Sequence, residues 1–331
     1  MQHRTLGATS LSVSALSFGA WGIVGGLNWG HQEKADSLAA LRAAYDAGMT
    51  TIDTAEMYGN GYSEQLIGEA LGDVRDQLVI ASKVVPANFA ETDLRAACER
   101  SLTNLGTTWI DLYQLHWPNW EMPIEIPIRT LEALKQEGKI REYGVSNFGP
   151  LDLRDALRAG FTPASNQVAY SLLFRAAEYA IQPACLDAGV SILCYSPLLH
   201  GLLTGKFNQP SEVPEDRART RHFSTGRWAQ VRHGQRGFED LLFNTIQDIR
   251  TIAEGAGEPM ADLALAWLLS QPGVASVVVG GRNAGQVRRN VRAAELVLSP
   301  DIAGALDDVS TALKEAMGPN LDMWQATPRI R

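Results

Sequence analysis

Cysteine is scarce in this sequence, and Cys98, Cys185 and Cys194 form no Cys-x-x-Cys pair. That removes a redox dithiol and a cysteine zinc site from consideration and fits buried free thiols in a reducing cytoplasm. No stretch approaches the ~20 apolar residues of a membrane span. The opening MQHRTLGATSLSVSALSFG has no long apolar run behind its charges, so no signal peptide is expected. Positive charge is in deficit, with 29 Lys and Arg against 37 Asp and Glu and a net charge of −8. Such a surface disfavours nucleic acid as the partner. No Gly-x-Gly-x-x-Gly follows a strand-like run, which speaks against a Rossmann half. No cluster of His, Cys, Asp and Glu has metal-ligand spacing, so no metal is expected. Internal repeats, low-complexity tracts and linkers are missing too.

What is present is an alternation. Short apolar, β-branched runs occupy 15–19, 50–53, 78–83, 110–116, 140–146, 164–169, 190–195 and 274–280. Helix-like stretches lie near 33–47, 63–71, 91–104, 124–137, 150–159, 177–188, 238–270 and 283–293. Strands alternating with helices imply parallel pairing through crossovers. Eight such units predict a closed (β/α)8 barrel, and 331 residues suffice for one barrel of ~250 residues with additions. The additions expected are an N-terminal β-hairpin, a long loop after the seventh strand (196–237) and an extra C-terminal helix near 301–317. One domain spanning 1–331 is expected. Ser63 is placed to cap the second helix. Gly48, Gly72, Gly138, Gly160 and Gly189 stand where helices end in a left-handed residue.

In such a barrel the reactive groups stand at the C-terminal ends of the strands. The second strand ends in Asp53, with Tyr58 in the loop that follows; the third ends in Lys83 and the fourth in His116. Taken singly, Asp53 reads as a helix cap, Tyr58 as packing and His116 as a core histidine. A lysine ending an apolar strand already asks for a partner. Converging on one rim, the four form an acid–base unit. The ammonium of Lys83 is expected to lower the Tyr58 pKa, Asp53 to hold Lys83 in place, and neutral His116 to donate to a carbonyl oxygen.

These residues carry a resemblance. DTAEMYGNGYSE (53–64), ASKV (81–84) and LHWP (115–118) resemble the catalytic-tetrad motifs of the aldo-keto reductases. The likeness continues through SALSFGAWG, GVSNF, NQVAYS, YSPLLHGLLTGK and VVVGGRNAGQVRRN, from about residue 4 to about 293. It implies that Tyr58, Asp53, Lys83 and His116 are catalytic, with Tyr58 the general acid in reducing a sugar-like, small or aromatic aldehyde or ketone. It implies that Ser146, Asn147 and Gln167 hold a nicotinamide carboxamide and that Tyr195 stacks on the ring. Ser196, Leu198 and Gly201 fall to the pyrophosphate, and Gly280, Arg282, Gln286 and Asn290 to the adenosine end. Lys206 and Arg217, in the long loop, are the weaker phosphate contacts. Arg282 favours NADPH through its 2′-phosphate. Gln286 and Arg289 stand where many members carry Arg and Glu, which leaves NADH open.

Trp21, Met57 and Trp117 are the expected substrate contacts. Trp228 and Trp324 read equally as packing or as pocket wall. His222, His233 and the arginines at 217, 219 and 221 are expected in a solvated or phosphate-facing stretch. The branch resembled also holds nicotinamide-binding potassium-channel β subunits, so a regulatory binding protein is the alternative; a lyase or isomerase on the same barrel is the third reading.

Overall fold

The computed structural model describes residues 1–26 and 29–331. Two short strands, β1 (His3–Thr5) and β2 (Ser12–Ser14), pair as the expected antiparallel hairpin. Eight parallel strands then close into a barrel: β3 (Leu16–Gly19), β4 (Thr51–Asp53), β5 (Val79–Val84), β6 (Ile110–Leu115), β7 (Ile140–Ser146), β8 (Ser165–Ala169), β9 (Ser191–Tyr195) and β10 (Val274–Val279). Each pairs with the next in sequence, and β10 closes on β3. All eight predicted runs are strands of this barrel.

The helices follow the same order: α1 (Lys34–Asp46), α2 (Tyr62–Leu71), α3 (Glu91–Leu105), α4 (Glu125–Gln136), α5 (Pro150–Arg158), α6 (Ile181–Asp187), α7 (Glu239–Ala256), α8 (Met260–Ser270), α9 (Ala284–Val291) and α10 (Pro300–Met317). The stretch read as one helix over 238–270 is two. Gly257 takes φ 68°, and Pro259 stands just before the next helix, so the first must end. Ser63 does not cap α2. Gly61 occupies the cap position, and the Ser63 hydroxyl instead donates to the Ala20 carbonyl at 3.1 Å while accepting from Thr54 at 2.9 Å. Gly72 keeps a right-handed φ of −61°, unlike Gly48, Gly138, Gly160 and Gly189, which are left-handed as expected.

Two apolar layers position the rim. The larger lies between the strands and the surrounding helices. The smaller fills the barrel end away from the rim, where Leu6, Leu11 and Val13 of the hairpin pack on Ala81, Leu112, Ala164 and Leu193. The hairpin thus plugs one end, and chemistry is left to the other. The long loop is not a solvated stretch of charge. Arg219, Arg221, His222 and His233 are all buried. Arg221 donates to the carbonyls of Met317, Asn320 and Asp322, and His222 Nε2 pairs with the Leu173 carbonyl at 2.8 Å. These side chains satisfy buried backbone groups and so fasten the tail after α10 to the barrel.

Candidate active site

Three neighbouring strands deliver the four ionisable groups. Asp53 ends β4, Lys83 is the penultimate residue of β5, and His116 follows β6. Lys83 Nζ donates to Asp53 Oδ1 at 2.6 Å and to the Thr54 carbonyl at 2.8 Å, with its side chain fully buried. Gln167 Nε2, from β8 across the barrel, donates to the other oxygen of Asp53 at 2.7 Å. The carboxylate therefore has a partner on each oxygen. Burial draws the Lys83 pKa below the usual lysine value, and Asp53 opposes that fall.

Tyr58 lies over this pair, with Lys83 Nζ 5.2 Å from its ring centroid. Its ring stacks on Trp21 at 5.9 Å and meets His116 edge-on at 6.0 Å. The expected lowering of its pKa is overturned. Burial raises it above that of a free phenol, and the negative charge of Asp53 adds to the rise. The Lys83 ammonium, paired with Asp53 and Thr54, does not offset that rise. Tyr58 is thus a full phenol at neutral pH, the protonation state of a donor. His116 is held well below the ordinary imidazole pKa by burial, with the charges of Lys83 and Arg329 adding to it. It is neutral, and its Nδ1 is buried without a hydrogen-bond partner among the described residues.

The rest of the rim is built from strand ends and left-handed turns. Asn147, at φ 61°, donates to the His116 carbonyl at 3.1 Å and to Ser146 Oγ at 3.0 Å, and accepts from Tyr195 Oη at 2.9 Å. Ser146 Oγ donates to the Gln167 carbonyl at 3.0 Å. Ser146, Asn147, Gln167 and Tyr195 thus form one network; both Nδ2 hydrogens of Asn147 are used within it, while its Oδ1 keeps a second acceptor site for a ligand amide. Beyond β9 the backbone turns tightly, with positive φ at Ser196, Leu199, His200 and Gly201. Such values strain non-glycine residues and cluster at ligand sites. Gly201 itself takes φ 93°, where any side chain would be strained, and the flexible end of Lys206 lies close to it.

One cleft of 1140 Å³ joins these parts, large for a small-molecule site. Every expected site residue lines it except Lys83, which lies buried beneath. Trp21, Met57 and Trp117 flank the Tyr58 end. Gly280, Arg282, Gln286 and Asn290 flank the far end, where Gln286 Oε1 accepts from the Arg282 amide at 2.8 Å and Asn290 Nδ2 donates to the Gly280 carbonyl at 3.1 Å. Arg282 donates to the His31 carbonyl and to Gln32 Oε1, which brings the loop after β3 to that end. Lys206 and Arg217 lie nearby. Burial lowers the pKa of both; Arg217 and Arg282 lower that of Lys206 further, and Asp216 alone among carboxylates opposes. Cations crowded together with so little counter-charge suit an anion. The donor set therefore fits a phosphate-bearing cofactor lying along the cleft toward Tyr58.

Sequence reasoning left several lining residues unassigned. His200, Trp324 and Arg329 line the cleft, as does Trp228. Trp324 stacks on His200 at 5.3 Å and meets Trp21 edge-on at 6.4 Å, so the tail does reach the pocket. Arg219 lies 4.9 Å from the Trp21 ring and 5.4 Å from those of Trp29 and Trp324. The surplus of tryptophans was the one visible signal for this wall; the tail residues carry no spacing that announces them.

A model of the Aldo/keto reductase family matches residues 15–311. Aldo-keto reductase YhdN of Bacillus subtilis is 33% identical over 299 residues, covering 87% of each chain. The NADH-specific methylglyoxal reductase of Escherichia coli is 31% identical over 337 residues, covering 95% of this chain and all (100%) of its own. The crystal structure of an aldo-keto reductase from Klebsiella pneumoniae in complex with NADPH superposes with a TM-score of 0.73 at 29% identity, over 94% of this chain and 96% of that one. The match runs through all eight barrel strands, with Trp324 and Arg329 of the cleft lining lying beyond it, and this chain belongs to the aldo/keto reductase family.

Proposed function

We propose that this protein reduces an aldehyde or ketone to the alcohol, with NADPH as the reductant and Tyr58 as the general acid. The observation that carries the proposal is the convergence of a protonated phenol, a neutral imidazole and a buried Lys83–Asp53 pair on the floor of one cleft. NADPH, when bound, supplies the hydride. The residues here do the rest. His116 donates its N–H to the carbonyl oxygen. Tyr58 holds its proton at Oη until negative charge builds on that oxygen, then gives it up. Two donors aimed at one developing charge in a dry site act as an oxyanion hole does. Lys83 then faces a forming phenolate at close range, and its charge matters most at that moment.

Ser146, Asn147 and Gln167 are proposed to orient the nicotinamide, Tyr195 to stack on it, and the Ser196–Gly201 turn with Leu198 and Lys206 to take the phosphates. The NADPH in the Klebsiella relative supports this cofactor, and the NADH-specific relative keeps NADH in view. The test is NADPH consumption with a panel of aldehydes and ketones, followed by loss of nicotinamide absorbance. Failure to bind either nucleotide would sink the reading.

Arg282 gives a sharper check on cofactor choice. Arg282→Gln is expected to raise KM for NADPH by about 10- to 100-fold, the range for a lost charge-assisted hydrogen bond. KM for NADH, which has no 2′-phosphate, should move far less. Equal shifts for both would show that Arg282 acts only by tethering the His31–Gln32 loop.

A further inference from the structure

The tail after α10 crosses the mouth of the cleft, and one of its residues is arranged to meet a charge. Arg329 lies flat on Trp117, its guanidinium carbon 3.8 Å from the ring centroid. Behind it stands Asp322, fully buried, which accepts from Arg329 Nε at 2.8 Å and from Nη2 at 3.1 Å. Asp322 is itself fixed. Its Oδ1 accepts from the Trp324 amide at 3.0 Å, and its own amide donates to Asn320 Oδ1 at 2.9 Å. The guanidinium is thus held on one face by an indole and on one edge by a carboxylate.

The opposite edge is not used. Nη1 donates to none of the described residues, and the side chain, 37% exposed, lines the cleft. Arg329 stands near enough to His116 for its charge to help depress the imidazole pKa. A planar fork, immobilised from behind and presenting N–H groups to the cleft, is the form in which arginine binds carboxylates best.

We infer that Arg329 recognises a carboxylate on the substrate, so that the preferred carbonyls are aldehydes or ketones bearing a carboxylate beyond an aromatic or aliphatic body. This rests on the reductase reading above. The cleft then divides the substrate in three. The carbonyl oxygen meets Tyr58 and His116, the body lies along Trp21 and Trp117, and the carboxylate meets Arg329. Charge at this end agrees. Asp53 is already paired with Lys83, so it does not repel an anion, and Arg219 adds positive charge on Trp21.

The experiment compares NADPH-dependent reduction of benzaldehyde and para-carboxybenzaldehyde by the wild type, Arg329→Gln and Arg329→Lys. The wild type is expected to favour the carboxylate by about 10- to 100-fold in kcat/KM, the range for hydrogen bonds to a charged group. Arg329→Gln should erase that ratio, mainly through KM for the carboxylate aldehyde, and Arg329→Lys should restore part of it. In the wild type alone, rising ionic strength should shrink the preference for this partly exposed site. A wild type without the preference overturns the proposal, as does a preference indifferent to salt and intact in Arg329→Gln. If neither aldehyde consumes NADPH, the reductase reading itself fails.

Discussion

Tyr58→Phe is expected to lower kcat for carbonyl reduction by about 10²- to 10⁴-fold, the usual share of a positioned proton donor. The ring it shares with Trp21 and His116 is kept, so the cleft wall and cofactor site should survive. NADPH binding, read by quenching of tryptophan fluorescence, should match the wild type. The measurement is single-turnover reduction at saturating NADPH, so that product release does not mask the chemical step. A loss in KM alone would make Tyr58 a packing residue, and a variant within threefold of the wild type would end its role as acid.

The protonation states add a second signature. Tyr58 is raised above the ordinary phenol pKa by burial and Asp53, and His116 lies well below the ordinary imidazole value through burial and its cationic neighbours. Raising an acid's pKa keeps its proton on as pH increases, and lowering a base's keeps its proton off as pH falls. Neither group then changes state between about pH 6 and 8, a window that an unperturbed histidine of pKa near 6.5 would bisect. The chemical step of reduction is expected to be flat there. A step near the normal histidine pKa would mean that His116 is charged when it acts.

The barrel, and the meeting of Asp53, Tyr58, Lys83 and His116 at one of its ends, were both legible because each is local. Short β-branched and apolar runs announce the barrel strands, and the residues at or next to their C-terminal ends gather at the cleft end of the barrel. Asp53, Lys83 and His116 could therefore be read at strand ends before any fold was seen. The sense of the Tyr58 shift could not. It is set first by burial, which only the fold determines, and then by the charge of Asp53, while Lys83 is held by Asp53 at 2.6 Å and Thr54 at 2.8 Å. The loop arginines failed for a related reason. A run such as Arg217 to Arg221 looks solvated when its partners are backbone carbonyls nearly 100 residues away, as those of Met317 and Asn320 are for Arg221. Arg329 carries no signal in the sequence, since only packing brings it to Trp117. The stretch 238–270 is the opposite case: Gly257 and Pro259 mark the break in the sequence itself, inside apolar periodicity that continues on both sides.

Lys83→Met is expected to cost stability and activity together, and the two can be separated. Removing the ammonium strips Asp53 of one of its two partners in a site of almost no exposure, leaving Gln167 alone to hold a buried carboxylate. Breaking a buried ion pair from one side typically costs about 3–5 kcal/mol, seen here as a lower urea midpoint. Adding Asp53→Asn to Lys83→Met should restore most of that midpoint. The second change removes the stranded charge, while an amide at that position can still accept from Gln167. A pair kept for stability would make the double variant nearly wild type in every respect. A pair kept for chemistry would not, because no cation then stands near Tyr58 as its proton leaves. The double variant is expected to regain stability yet stay at least ~100-fold down in the chemical step, on the scale of losing general acid catalysis. Recovery of both properties at once would assign the pair to the barrel's architecture and leave Tyr58 and His116 to act without it.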